Sequence, residues 1–113
     1  MFVVTNELLV DEQHREQFEE TFPASMRATL PGVPGLLRAN HMAPTEPGRG
    51  NLAVMEFADE QAYRAYIHSE AFRAAHPWPG RVPLAGNTLT TYTVHTDLTG
   101  DDLAGSGEAT REA

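Results

Sequence analysis

Hydrophobic positions along the chain follow two rhythms. Residues 2–10, FVVTNELLV, carry apolar side chains on both parities. Phe2, Val4, Leu8 and Val10 share a face with Asn6, and Val3 and Leu9 share the other with Thr5. A strand that is apolar on both sides is expected to be covered on both. After Asp11 the spacing changes to steps of four, through Phe18, Phe22, Met26 and Leu30. That is the stripe of an amphipathic helix. Asp11 suits its N-cap, while Glu12, Glu16, Glu19 and Glu20 face water. Pro23 has no amide hydrogen to give the helix ladder, so a kink or break is expected there. The run Pro31-Gly32-Val33-Pro34-Gly35 ends the helix and turns the chain.

Two further strands, at residues 36–42 and 51–57, flank a Pro- and Gly-rich loop and read as a hairpin. Asp59 caps a second helix whose stripe is Tyr63, Tyr66 and Ile67. Ser69 caps a short continuation over residues 70–76, with Phe72, Ala75 and His76 on one side, before Pro77-Trp78-Pro79-Gly80 stops it. Residues 88–97, rich in Thr, Tyr and Val, read as the last strand. Residues 98–113 have few large apolar groups and read as a mobile acidic tail on a domain spanning 1–97. The order strand, helix, strand, strand, helix, strand is the α+β, ferredoxin-like βαββαβ pattern. Its helices can cover one face of the sheet. The other face is expected to meet a second copy of the chain, giving a homodimer.

With 113 residues the chain is one domain's length. Its 16 acidic and 8 basic residues give a net charge of -8, which argues against a nucleic-acid partner. Every basic residue is Arg; without Lys there is no Schiff-base chemistry and no P-loop. Without Cys there is no disulfide, thiol nucleophile, zinc-thiolate site or iron–sulfur cluster. Apolar runs are short, as in Leu8-Leu9-Val10, and the amino terminus lacks the basic start of a signal peptide. No membrane span and a cytoplasmic location are expected.

Few residues could carry chemistry. Asn6 interrupts an apolar strand face, where an unpaired amide costs a few kcal/mol. It either bonds a neighbouring loop or bulge, or donates into a pocket between helix and sheet. His76 ends a helical stretch. It can bond the last carbonyls there and favour the helix dipole, or it can serve as a metal ligand or proton carrier. His68 and His76 are eight apart, which is not zinc spacing. A lone His fits an axial haem ligand, where the macrocycle supplies the other four. Tyr63, Tyr66, Phe72, Phe18 and Phe22 read first as core and second as pocket lining. Trp78 is a lid or a plug. His14, His41, His68 and His95 read as surface or edge residues. Nucleophile-elbow, dinucleotide and paired-carboxylate motifs are absent.

The segments Met1-Phe2-Val3-Val4-Thr5-Asn6, His14-Arg15-Glu16-Gln17-Phe18-Glu19-Glu20, Val33-Pro34-Gly35-Leu36, Tyr63-Arg64-Ala65-Tyr66 and Ser69-Glu70-Ala71-Phe72-Arg73-Ala74-Ala75-His76 resemble the antibiotic biosynthesis monooxygenase (ABM) superfamily. Within it they look most like the IsdG-type haem-degrading monooxygenases. The resemblance covers residues 1–97 and implies a ferredoxin-like homodimer whose two sheets form a β-barrel. It also implies an oxygenase pocket in each subunit. In the haem-degrading branch the site is an Asn, a Trp and a His. The Asn falls on Asn6 and the His on His76; the Trp position holds Tyr66, a departure. Phe22 falls where an aromatic of the first helix lines the pocket. By this resemblance His76 would bind haem iron and Asn6 would donate a hydrogen bond near dioxygen or the ring. Tyr66 would press on the macrocycle. Haem would be cofactor and substrate together, oxidised at a meso carbon with electrons from an outside reductant. Arg27, Arg64, Arg73 or Arg81 could answer its propionates.

The smaller Tyr ring, with a hydroxyl that needs a partner, keeps two other functions in view. One is a cofactor-free monooxygenase acting on a reduced polycyclic aromatic. The other is a non-catalytic dimeric module that binds a small molecule.

Overall fold

A computed structural model describes residues 1–76 and 82–105. Strand β1 (Phe2–Leu9) leads through a 3-10 turn at Glu12–His14 into helix α1 (Arg15–Thr29). The hairpin of β2 (Leu36–Met42) and β3 (Asn51–Phe57) follows. Next come α2 (Glu60–Ile67), α3 (Glu70–Ala75), β4 (Gly86–Thr93) and a short α4 (Gly100–Ala104). The four strands form one antiparallel sheet in the order β2-β3-β1-β4. This is the ferredoxin-like fold that the βαββαβ order predicts.

Most element ends follow local chemistry. Asp59 accepts from the amide of Ala62 at 2.8 Å and starts α2. Ser69 accepts from the amide of Phe72 at 3.2 Å and starts α3. Asp11 does not act this way: its side chain makes no cap bond, and its backbone carbonyl instead accepts from the His14 amide at 2.9 Å. The chain therefore enters α1 through a tight turn. Pro23 does not break α1, which continues from Arg15 to Thr29. The missing amide hydrogen forfeits one rung, while Phe18, Ser25 and Thr29 still bury one face of the helix. Strand β4 begins at Gly86 and ends at Thr93, earlier at both ends than its composition suggests. Within the segment read as an acidic tail, Thr99 and Asp102 form a reciprocal capping box that starts α4. Hydrogen bonds from the Thr99 backbone and hydroxyl hold the Asp102 carboxyl below its usual range.

Register assigns the two faces of the sheet. Val4 lies opposite Met55 and Leu8 opposite Asn51, while Phe2 lies opposite Phe57. These residues and their period-2 neighbours face the helices. The core on that side is split. Val4, Phe57 and Tyr66 form one buried cluster, and Leu8, Phe18 and Val82 form another. The helix-free face carries Val3, Thr5, Leu52 and Val54, with Leu9 at 42%, Met42 at 46% and Tyr92 at 53% exposure. No helix among the described residues is long and apolar enough to cross a membrane.

Candidate functional site

Between the two core clusters lies a cavity of about 400 Å³, within the usual size range for small-molecule sites. Its floor is the helix-facing side of β1, β3 and β4, through residues such as Val4, Asn6, Ala53 and Leu89. Helix α1 supplies one wall, and α2 and α3 supply another through Tyr66, Phe72 and His76. The cavity brings together Asn6, Phe22, Tyr66 and His76, which are far apart in the chain. Trp78 and Arg81 lie outside the described residues.

His76 caps the C-terminal end of α3 in extended backbone. Its ring stacks on Phe72 with centroids 4.1 Å apart and planes 19° apart. Its Nδ1 lies 2.9 Å from the Phe72 carbonyl oxygen. A carbonyl can only accept, so Nδ1 carries the hydrogen, and in the neutral ring the lone pair is on Nε2. The helix-capping bond and the availability of a ligating nitrogen are thus the same arrangement. His76 borders the cavity and remains exposed to solvent.

Asn6 is half-buried on β1, and its Oδ1 accepts from Nδ2 of Asn87 at 3.2 Å. No other described residue hydrogen-bonds its side chain. Tyr66 is 6% exposed, packed 5.8 Å from the Phe57 ring and 5.4 Å from the Phe72 ring between centroids. Burial, with a smaller contribution from Tyr63, pushes its phenol above the usual value, so the hydroxyl stays protonated at neutral pH. Tyr66 also borders a second, outer groove of about 310 Å³ beside Pro31, Val33 and Pro34. Tyr66 thus borders both spaces.

Phe22 stacks on Phe18 with centroids 5.0 Å apart. Behind both rings, edge-on at 5.4 Å and 5.8 Å, stands His41. His41 does belong to an edge strand, but its side chain turns inward and donates from Nε2 to Oδ1 of buried Asn51 at 2.9 Å. The sequence reading missed this, because the partners of a lone His on a short strand are set by the hairpin register.

It also missed Asn87 and a row of hydroxyl residues on α1. Thr21 and Ser25 border the cavity with Thr29, whose hydroxyl donates to the Ser25 carbonyl at 2.8 Å. Their spacing of four, parallel to the Phe18–Phe22 row, was the available signal.

The described lining contains no Asp, Glu or Arg, although the chain carries a charge of -8. Arg64 pairs with Glu60 and Arg73 with Glu70 on the outer helix surface, each at 2.7 Å. Arg27 is exposed in the last turn of α1. Among the described residues no three His, Asp or Glu side chains gather as a metal site. The cavity thus offers apolar and aromatic walls, carboxamides, hydroxyls and one imidazole, chemistry suited to a flat, largely apolar ligand.

The antibiotic biosynthesis monooxygenase family model matches residues 1–78, and the chain belongs to that family. Among solved structures, the haem-degrader MhuD from Mycobacterium tuberculosis, with two haems in its active site, is similar at 22% identity and a TM-score of 0.74. That match covers 88% of this chain and 100% of the other. A MhuD variant with two manganese protoporphyrin IX molecules per active site is similar at 22% identity and a TM-score of 0.76, with the same coverage. A putative antibiotic biosynthesis monooxygenase from Bacteriodes thetaiotaomicron is 18% identical, with a TM-score of 0.66, covering 84% of this chain and 90% of that one. At these identities the likeness is one of fold. No curated protein matches the chain.

Proposed function

We propose that this protein is a haem-binding monooxygenase that degrades haem and acts as a homodimer. The observation that carries the reading is the imidazole of His76. Its Nδ1 hydrogen is committed to the Phe72 carbonyl, leaving Nε2 as a lone-pair donor at an aromatic cavity free of carboxylates among its described residues. A single neutral imidazole nitrogen is a donor that haem iron accepts, and His76 would supply it. The aromatic side chains of Phe22, Phe72 and Tyr66 in the lining suit an apolar aromatic ligand. In this reading His76 holds the iron, Asn6 donates a hydrogen bond from the sheet floor, and Tyr66 limits the depth of the slot. Bound haem supplies the capacity to activate oxygen and is itself the molecule oxidised, with electrons from an outside reductant. The likeness in fold to a haem-degrader supports the proposal.

The test is a haem titration followed by absorbance. The protein should give a saturable Soret band that bleaches with reductant and oxygen, and His76→Ala should lose that spectrum. An unchanged spectrum in His76→Ala would refute His76 as the ligand. For the dimer, the half-exposed Leu9, Met42 and Tyr92 on the helix-free face are the apolar surface expected to pair. A monomeric mass by sedimentation at micromolar concentration would refute pairing.

A second reading has its own support. The described lining, without Asp, Glu or Arg and with two carboxamides side by side, also suits a cofactor-free monooxygenase of an anthrone or quinol. Oxygen consumption with such substrates, without haem affinity, selects this reading.

A further inference from the structure

We propose that Asn87 is a positioning residue. By donating to Oδ1 of Asn6 it fixes that amide with its two Nδ2 hydrogens available to an acceptor oxygen of a flat aromatic ligand in the cavity. The inference rests on the reading that the cavity takes such a ligand, haem or not.

The argument starts from register. Asn6 lies opposite Leu89 on β4, and Leu8 lies opposite Asn87. Asn6 and Asn87 are therefore diagonal neighbours on the helix-facing side of adjacent strands, within reach of each other. A carboxamide on a strand between Val4 and Leu8 is an expensive placement unless it is bonded. The Asn87 contact at 3.2 Å engages only the oxygen end of Asn6. The nitrogen end, which diverges from it, has no partner among the described residues. An amide can rotate by half a turn with little change in shape but a reversal of polarity. An isolated Asn6 could present either end to a ligand. Asn87 presents its donor end, and that polarity engages the Asn6 oxygen and leaves the Asn6 nitrogen for a ligand; both residues border the cavity.

The decisive substitution is Asn87→Asp. At pH 7 the new carboxylate is ionised and can only accept. It draws the Asn6 nitrogen toward itself and turns the Asn6 oxygen toward the ligand. Binding of three probes is measured by absorbance or fluorescence: haem, metal-free protoporphyrin IX and 1,8-dihydroxyanthraquinone. Asn6→Ala should weaken binding of at least one probe about three- to tenfold, the worth of a hydrogen bond. Asn87→Asp should weaken the same probe as much, and Asn87→Ala less. In the Asn6→Ala background Asn87→Asp should add nothing.

An equal loss in that background would mean that charge alone acts, and would overturn the proposal. So would unchanged affinities for every probe, or no saturable binding of any. A loss shared by both porphyrins assigns the acceptor oxygen to a propionate, and a loss confined to the anthraquinone assigns it to a ring carbonyl. A loss confined to haem assigns it to a ligand on the iron. Without ligand, the Asn6 side-chain amide resonances should move in Asn87→Asp; unmoved resonances count against the contact. Because Asn87 is exposed, its variants should melt within about 3 °C of the parent. Failure of the haem reading shows instead as a haem spectrum indifferent to His76→Ala, which leaves the anthraquinone arm to decide the role of Asn87.

Discussion

Replacing Tyr66 with Ala tests whether its ring is structural as well as ligand-facing. The residue is 6% exposed and meets the rings of Phe57 and Phe72. Truncating a buried aromatic costs about 3–5 kcal/mol, including contacts worth about 0.5–1.5 kcal/mol for each ring pair. Here one side of the ring already borders open space, so fewer contacts are lost, and the lower end applies: about 3 kcal/mol. For a domain of this size that is a fall of about 10–20 °C in melting temperature. Tyr66→Phe keeps the ring and removes a hydroxyl that no described residue hydrogen-bonds, so it should cost less than about 1 kcal/mol. Denaturant unfolding of the three proteins reads both numbers. A loss below about 1 kcal/mol for Tyr66→Ala, or equal losses for the two variants, would refute the ring as a packed part of the core. The Ala variant should also join the inner cavity to the outer groove, detectable as a larger capacity for apolar probes.

Other outcomes follow from the same structure. The Tyr66 phenol titrates above its usual value in the folded protein, so the folded state keeps its proton where the unfolded chain has begun to lose it. Stability from this group is intact below about pH 10 and is lost as pH rises from there through the folded value. Unfolding free energies between pH 9 and 11 should therefore fall more steeply for the parent than for Tyr66→Phe; parallel curves would contradict this. Gly35 has φ +77° and an added Cβ would sit 2.5 Å from Cβ of Ala62. Gly35→Ala should cost about 2–4 kcal/mol from backbone strain and overpacking, read by thermal melting, and a neutral result would discount the close approach of this turn to α2. Asp59→Ala should cost about 1 kcal/mol through loss of the α2 cap, while Asp11→Ala should be nearly neutral because its side chain caps nothing. Equal effects in the two variants would contradict the capping geometry.

Local patterns along the chain were enough for the order and type of the main elements, the strands at Leu36–Met42 and Asn51–Phe57, and the caps at Asp59 and Ser69. These are local properties. A period of two or four, a Gly-Pro turn or a hydroxyl before a helix acts over a few residues and is visible in the string. Asn6 and His76 stood out for the same reason, one as a polar break in an apolar strand and the other as a His at a helix end.

Tertiary structure alone decided what those residues meet. The pairing of Asn6 with Asn87 and of His41 with Asn51 depends on strand register, which spans 81 and 10 residues of chain respectively. Local rules left a kink and a break at Pro23 both open; α1 runs through Pro23, with Phe18, Ser25 and Thr29 buried along it. The cavity is the clearest case. Whether Phe18, Phe22, Tyr66 and Phe72 close into one core or stand apart around a space depends on how far the helices sit from the sheet. Apolar periodicity is the same in both arrangements, because a side chain facing inward has one pattern whether it meets protein or a ligand.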